Sequence, residues 1–283
     1  VDQVIIRFHV GTLAGVSNAR KRKTSPGRIR HGGLTEAPYL APMKSRHRVV
    51  IVGGGFAGLN CAQSLANDYR FEVTLIDRQN HHLFQPLLYQ VATASLSAVE
   101  IARSLRAILG EARNVSVLLD KVTGVNSEKM ELVTENGSYP YDSLVLATGA
   151  RTSYFGKDEW SKFTYGLKTL ENSRAIRHQV LNALERAERS NDPIEKKRLM
   201  TVGIIGGGPT GVELAGAFSD LVRRALKTDY RCIELSQFRI VLIQSGDRLL
   251  KHFSEDHSKY TLERLEKLGV EVILGPRVDE VKE

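Results

Sequence analysis

Two short stretches, about 150 residues apart, constrain the fold more than any other feature of this sequence. Each is a run of β-favouring residues that ends in glycines and opens directly into an apolar helical pattern. The first is RVVIVGGGFAGLNCAQSLA, residues 48–66; the second is LMTVGIIGGGPTGVELAGAFSDL, residues 199–221. Gly53, Gly55 and Gly58 hold the spacing G-x-G-x-x-G in the first, and Gly206, Gly208 and Gly211 hold it in the second. The first glycine permits a tight turn out of the strand. The second lets the backbone approach a pyrophosphate, and the third lets helix and strand pack closely. A helix beginning there points unpaired N–H groups and its positive dipole end at the phosphates. One such match is weak evidence, because 24 glycines in 283 residues give roughly 0.2 matches by chance. Two matches, each with a strand before and a helix after, imply two dinucleotides, or one domain interrupting another.

The strand that follows each turn carries the next signal. FEVTLID (71–77) ends in Asp77, near the spacing at which an acid binds ribose hydroxyls. The plain alternative is an acid that only ends a strand. FRIVLIQ (238–244) ends in Gln244 instead. A neutral side chain there removes the repulsion of a 2′-phosphate, and Arg248 stands close enough in sequence to reach one. NADPH is therefore expected to be tolerated alongside NADH, unless Gln244 binds the hydroxyls itself and discrimination lies elsewhere.

Between and after the turns, strands and helices alternate. SAVEIARSLRAILG (97–110) reads as one amphipathic helix with a Ser97/Glu100 capping box and Gly110 as its stop. Residues 114–125, 129–134 and 139–150 read as strands, with Asn136-Gly137 as a hairpin turn. Residues 169–190 form a long helix with a polar face, and 256–269 then 270–274 form a further helix–strand unit. This order predicts an α/β fold of doubly wound, Rossmann-like parallel sheets.

Charge and cysteine content narrow the function. The chain carries 40 basic and 32 acidic residues, a formal +8. Ten of those basic residues and two of the acids lie in residues 1–48, so the remainder holds 30 of each and is neutral. Nucleic acid is thus not an expected partner of the globular part. The leader has no sustained period and is rich in Gly, Pro, Ser and Arg, so residues 1–45 are expected to be mostly disordered. Three readings stay open: upstream sequence before a natural start at Met43, an organellar transit segment, or a basic arm built on RKRK at 20–23. Cys61 and Cys232 cannot make a disulfide framework, a Cys-rich zinc site or a CxxC pair. Adjacent His81 and His82 lack metal-ligand spacing and read as turn residues, so no metal site is expected. Cys61 falls on an apolar helix and reads as packing.

Taken together, the two turns, Asp77 and the run Ala147-Thr148-Gly149 resemble the layout of two-dinucleotide-binding flavoprotein reductases. LIDRQNHHLFQPLLYQVATASLS (75–97), YFGKDEWSKFTYGLKTLENSRAIRHQVLNALE (154–185) and GGGPTGVELAGAF (206–218) are similar to type II NADH dehydrogenase, the single-subunit NADH:quinone oxidoreductase. The resemblance covers residues 46–283. It implies an FAD-binding domain at 46–165 and an NAD(P)H-binding domain at 166–283, the second inserted in the first.

By that resemblance, NAD(P)H gives a hydride to FAD, and two electrons pass to a membrane quinone without ion pumping. Gly53, Gly55, Phe56, Ala57 and Gly58 would line the FAD pyrophosphate, and Asp77, with Arg78 beside it, the adenosine ribose. Gln85, Pro86, Tyr89 and Thr93 would lie near the flavin ring. Val122, Ala147, Thr148 and Gly149 would make further FAD contacts. Gly206, Gly207, Gly208, Pro209, Thr210, Gly211 and Gln244 would bind NAD(P)H. Glu213, placed on the first turn of the second helix, would sit near nicotinamide and flavin as the catalytic residue, or else be only a charge favoured by a helix N-terminus. A disulfide reductase needs a redox cysteine pair beside its flavin; Gln-Pro-Leu-Leu-Tyr-Gln (85–90) stands there instead.

The family continues beyond the point matched by Glu283, so the resemblance implies a fragment. It would lack the second FAD contact, most of the quinone tunnel and the amphipathic helices that attach to a membrane. The expected location is the cytoplasmic face of a bacterial-type inner membrane, or an organellar inner membrane if the leader is a transit segment, with a homodimer left open. The alternatives are another reductase of this layout, serving an iron–sulfur protein or oxidising sulfide, and a nucleotide-binding fragment without turnover.

Overall fold

The computed structural model describes residues 5–7, 46–154, 156–225 and 229–281. The chain order begins with β1 (Ile5–Arg7) and β2 (His47–Val52). The first glycine turn leads into α1 (Phe56–Ser64), followed by β3 (Phe71–Asp77) and a short strand β4 (His81–Leu83). After a single 3₁₀ turn at Gln85–Leu87 come α2 (Leu88–Ala92), α3 (Ala98–Ile101), β5 (Ala102–Ser104) and α4 (Leu105–Ile108). Strands β6 (Val115–Leu119), β7 (Val122–Asn126), β8 (Glu131–Thr134), β9 (Ser138–Pro140) and β10 (Ser143–Leu146) complete the first half.

In the second half, β11 (Thr164–Gly166) precedes the long helix α5 (Leu170–Arg189) and α6 (Pro193–Leu199). Then follow β12 (Thr201–Ile205), α7 (Pro209–Asp220), β13 (Arg239–Gln244), α8 (Glu255–Lys267) and β14 (Val270–Leu274).

Two parallel sheets carry the two turns. The first has the order β10-β2-β3-β6, all parallel. Side chains alternate across it. Val49 and Ile51 face α1 and α4 with Leu59, Leu75 and Leu105, whereas Val50 and Val52 face the antiparallel β7-β8-β9 sheet with Leu132 and Tyr141. Both faces are therefore covered, as a sheet buried on two sides requires.

The second sheet has the order β11-β1-β12-β13-β14, in which β12, β13 and β14 are parallel. Its core joins Val202, Ile204, Ile240 and Leu242 to Phe218 of α7, Ile176 and Leu184 of α5, and Leu88 and Val91 of α2.

Register sets the sites. Val52 pairs with both Leu146 and Ile76, so Gly53, Ala147 and Asp77 leave the first sheet at one level. In the second sheet Ile205 pairs with Ile243, which brings Gly206 beside Gln244.

Three expectations change. Residues 97–110 are not one helix: the capping box at Ser97 and Glu100 forms, but α3 ends after one turn because Ala102–Ser104 pairs antiparallel with His81–Leu83. Residues 114–125 split into β6 and β7, in different sheets, at Asp120, whose N–H donates to the Asp77 carbonyl and whose carboxylate accepts from Thr134 Oγ1 and Asn136 Nδ2. Residues Ile5–Arg7 of the leader are a strand, antiparallel to both β11 and β12. RKRK at 20–23 and Met43 lie outside the described residues.

Candidate functional site

At the first turn, Gly53 sits at φ +104°, and a Cβ there would run into the Ala147 carbonyl. A Cβ at Gly58 would likewise strike the Gly53 carbonyl, so α1 packs against the strand end at a distance only glycine allows. Gly55 differs: its ideal Cβ meets nothing within 4 Å. Gly55 is also the N-cap of α1, and no side chain caps this helix. The opening amides of Phe56, Ala57 and Gly58 thus lack the usual side-chain acceptor, and Gly55, Phe56 and Ala57 are exposed. The turn fits a dinucleotide pyrophosphate on these grounds.

Asp77 ties the turn from the neighbouring strand. Its Oδ2 accepts from the Gly54 N–H at 2.5 Å and its Oδ1 from the Gln79 N–H at 2.7 Å. Each carboxylate oxygen keeps a further lone pair for a ribose hydroxyl. Arg78 is exposed beside it. Ala147 and Thr148 cross against Gly53, with the Ala147 N–H donating to the Val52 carbonyl, and Gly149 follows at φ +68°. Val122 is half-buried, its side chain packed with Val52, Ile76 and Leu132.

The second turn repeats this plan. Gly206 has φ +116°, and a Cβ at Gly211 would strike the Gly206 carbonyl. Gly208 is the N-cap of α7, again without a side-chain cap, and Pro209 occupies the first helical position, with Thr210 after it. Gln244 Oε1 accepts from the Gly207 N–H at 2.9 Å.

Arg248 departs from its expected role. Its Nη1 donates to the Phe253 carbonyl and Ser258 Oγ, and its Nη2 to the Lys251 carbonyl. The guanidinium is spent on shaping the loop before α8.

A crevice of about 530 Å³ lies between α2, α7 and α8, and both Tyr89 and Glu213 line it. Glu213 is the fifth residue of α7, and the helix has no acid in its first turn. This corrects its expected placement and removes it from the strongest part of the helix dipole. Partial burial raises its carboxyl above the ordinary carboxylate value.

Gln85 and Pro86 are exposed on the 3₁₀ turn ahead of α2. Thr93 is not an open contact: it is fully buried, and its hydroxyl donates to the Tyr89 carbonyl at 3.0 Å. One contact had no signal in the sequence. His82 Nδ1 lies 3.0 Å from the Gly54 carbonyl, because the β4–β5 pairing, invisible to local pattern, carries it there.

A family model described as pyridine nucleotide-disulphide oxidoreductase matches residues 47–283. The chain belongs to this family. Among curated proteins, it is 42% identical over 250 residues to the type II NADH:quinone oxidoreductase Ndh of Mycobacterium tuberculosis, covering 87% of this chain and 54% of that protein. The structure of NDH2 from Plasmodium falciparum in complex with NADH aligns with TM-score 0.76 and 28% identity, over 84% of this chain and 49% of that one. A second structure of that enzyme, in complex with RYL-552, aligns with TM-score 0.79 and 29% identity over the same shares. The chain thus spans about half the length of the curated relatives it matches. Unlike the disulphide reductases in the family's name, it has no cysteine in the 85–90 segment. Cys61 packs on α1 beside the first core, and Cys232 is exposed far along the chain.

Proposed function

We propose that this protein is an FAD-dependent oxidoreductase that takes a hydride from NAD(P)H and passes two electrons to a membrane quinone without ion pumping. One observation carries the reading: two uncapped glycine turns occur on one chain, and Tyr89, from the segment after the first, shares a crevice with Glu213, from the helix after the second. The bacterial relative named above supports the acceptor, since its name includes a quinone. FAD, when bound, supplies the redox chemistry that no side chain here provides.

The residues bind and orient. Gly55, Phe56, Ala57 and Gly58 present amides to the FAD pyrophosphate, and Asp77 takes the adenosine ribose on the lone pairs left free by Gly54 and Gln79. Gly208, Pro209, Thr210 and Gly211 do the same for NAD(P)H. Glu213 faces the nicotinamide end. Gln244 spends its oxygen on Gly207 and offers its Nε2 as a donor. That polarity suits a 2′-phosphate as well as a hydroxyl, so NADPH is used beside NADH even though Arg248 is committed elsewhere. Among the described residues no helix is long and apolar enough to cross a membrane; peripheral attachment is the proposed route to the quinone.

Purification with flavin analysis and anaerobic addition of NADH tests the reading. FAD should be released on denaturation, NADH should bleach its absorbance, and a quinone analogue should restore it. Absence of flavin, or a bleached flavin that no quinone reoxidises, would overturn it.

A further inference from the structure

The middle glycine of each turn is held through both its N–H and its carbonyl, and the two turns do it differently. In the second, the Gly207 N–H donates to Gln244 Oε1 at 2.9 Å, and the Gly207 carbonyl accepts from the Leu250 backbone N–H at 2.8 Å. Leu250 adopts φ +50° on the way. In the first, the Gly54 N–H donates to Asp77 Oδ2, and the Gly54 carbonyl faces His82 Nδ1 at 3.0 Å. A carbonyl only accepts, so His82 carries its proton on Nδ1 and donates. A side chain thus fills the place that a backbone amide fills in the other turn.

The ring of His82 makes a second contact. It meets Phe56, the first residue of α1, edge-on at 5.1 Å between centroids and 90° between planes. Phe56 in turn meets Phe84 at 5.5 Å. The imidazole therefore links the peptide before the helix with the first side chain of the helix, and through it with the segment leading to Gln85 and Pro86.

We propose that His82 is a positioning residue for the first turn. By donating to the Gly54 carbonyl it fixes the peptide plane ahead of α1, so that the amides of residues 56–58 point together at the pyrophosphate of a flavin dinucleotide. Preset donors cost no reordering when the ligand arrives. This rests on the reading of that turn as the FAD site.

Two substitutions separate the hydrogen bond from the ring. His82→Phe keeps an aromatic edge against Phe56 and removes the donor. His82→Asn keeps an N–H donor near the position of Nδ1 and removes the ring. In the full chain freed of flavin, FAD affinity is read from quenching of flavin fluorescence, and NADH affinity from a parallel titration. Loss of one such bond raises the FAD dissociation constant of His82→Phe about five- to tenfold. His82→Asn should stay within about twofold of the parent protein, and NADH affinity should not change in either, because the second turn has its own clamp. Equal FAD affinity in parent and His82→Phe would overturn the role, as would His82→Asn falling as far as His82→Phe. A matching loss of NADH affinity would make the effect one of general folding and would also overturn it. A parent protein that binds NADH but no FAD overturns the flavin reading itself, which is a different result from an FAD-binding parent whose variants are unaffected.

Discussion

At the scale of single residues, the glycines of one fingerprint have separable jobs, and the separation can be measured. Gly58 is needed for packing: an alanine methyl would enter the space of the Gly53 carbonyl, so Gly58→Ala should lower stability by about 1–3 kcal/mol in urea unfolding. Gly55 has open space and an ordinary extended backbone at φ −71°. Gly55→Ala should cost under about 1 kcal/mol of stability, yet lose FAD, because its methyl stands where the pyrophosphate approaches. Loss of stability without loss of flavin in Gly55→Ala would reverse that assignment. Gln244 invites a second measurement. Gln244→Glu keeps an acceptor for Gly207 and adds a negative charge at the ribose, so NADPH efficiency should fall at least about tenfold relative to NADH. Replacing Arg248 should weaken NADH and NADPH together, since its guanidinium bonds the Lys251 and Phe253 carbonyls and Ser258 and so shapes the loop before α8. The sequence made the glycines and Gln244 legible because their spacing is local. It aimed Arg248 at a phosphate and read His82 as a turn residue where the structure has strand β4, because what each side chain bonds depends on how distant strands and loops pair.

Elements were legible where period and capping agreed. Residues 170–189 form the expected helix, and Thr169 caps it by accepting from the Asn172 N–H. Residues 97–110 were not legible, because a good capping box and a later glycine describe a helix, while Ala102–Ser104 answers to a strand 20 residues earlier. The edge of the first sheet shows a similar long-range tie. Arg48, in β2, forms a bidentate pair with Asp142, just before β10, and its backbone N–H donates to the same carboxylate at 2.7 Å. The Arg48 guanidinium holds Asp142 down to about 2, against an ordinary value of 3.8. The sign follows from linkage: a carboxyl depressed in the folded state adds stability that is complete above the unfolded value and is lost as pH falls from about 3.8 through about 2. The urea midpoint should therefore drop with acid across that window, and drop less steeply in Asp142→Asn. Both partners are partly exposed, so added salt should shrink the difference. Equal slopes for parent and variant would show that the pair does not couple β2 to β10.

Across the whole molecule, the two sheets follow one plan with one difference. In each, the strand before the glycine turn has on one side the strand that ends in Asp77 or Gln244. On its other side the first sheet places β10, parallel, whereas the second places β1, antiparallel. Composition assigned residues 1–48 the charge excess and residues 1–45 mostly disorder, yet Ile5–Arg7 bridges β11 and β12. Starting the chain at Met43 puts this to the test. If β1 is integral, its loss strips the ladder bonds along β12 and β11 and should lower the stability of the second sheet by on the order of 2 kcal/mol. NADH affinity should fall with it, since β12 carries the second turn, and FAD affinity should hold, since β2 keeps β10 and β3 on either side. If melting and NADH affinity are the same with and without residues 1–42, β1 contributes nothing to the nucleotide site.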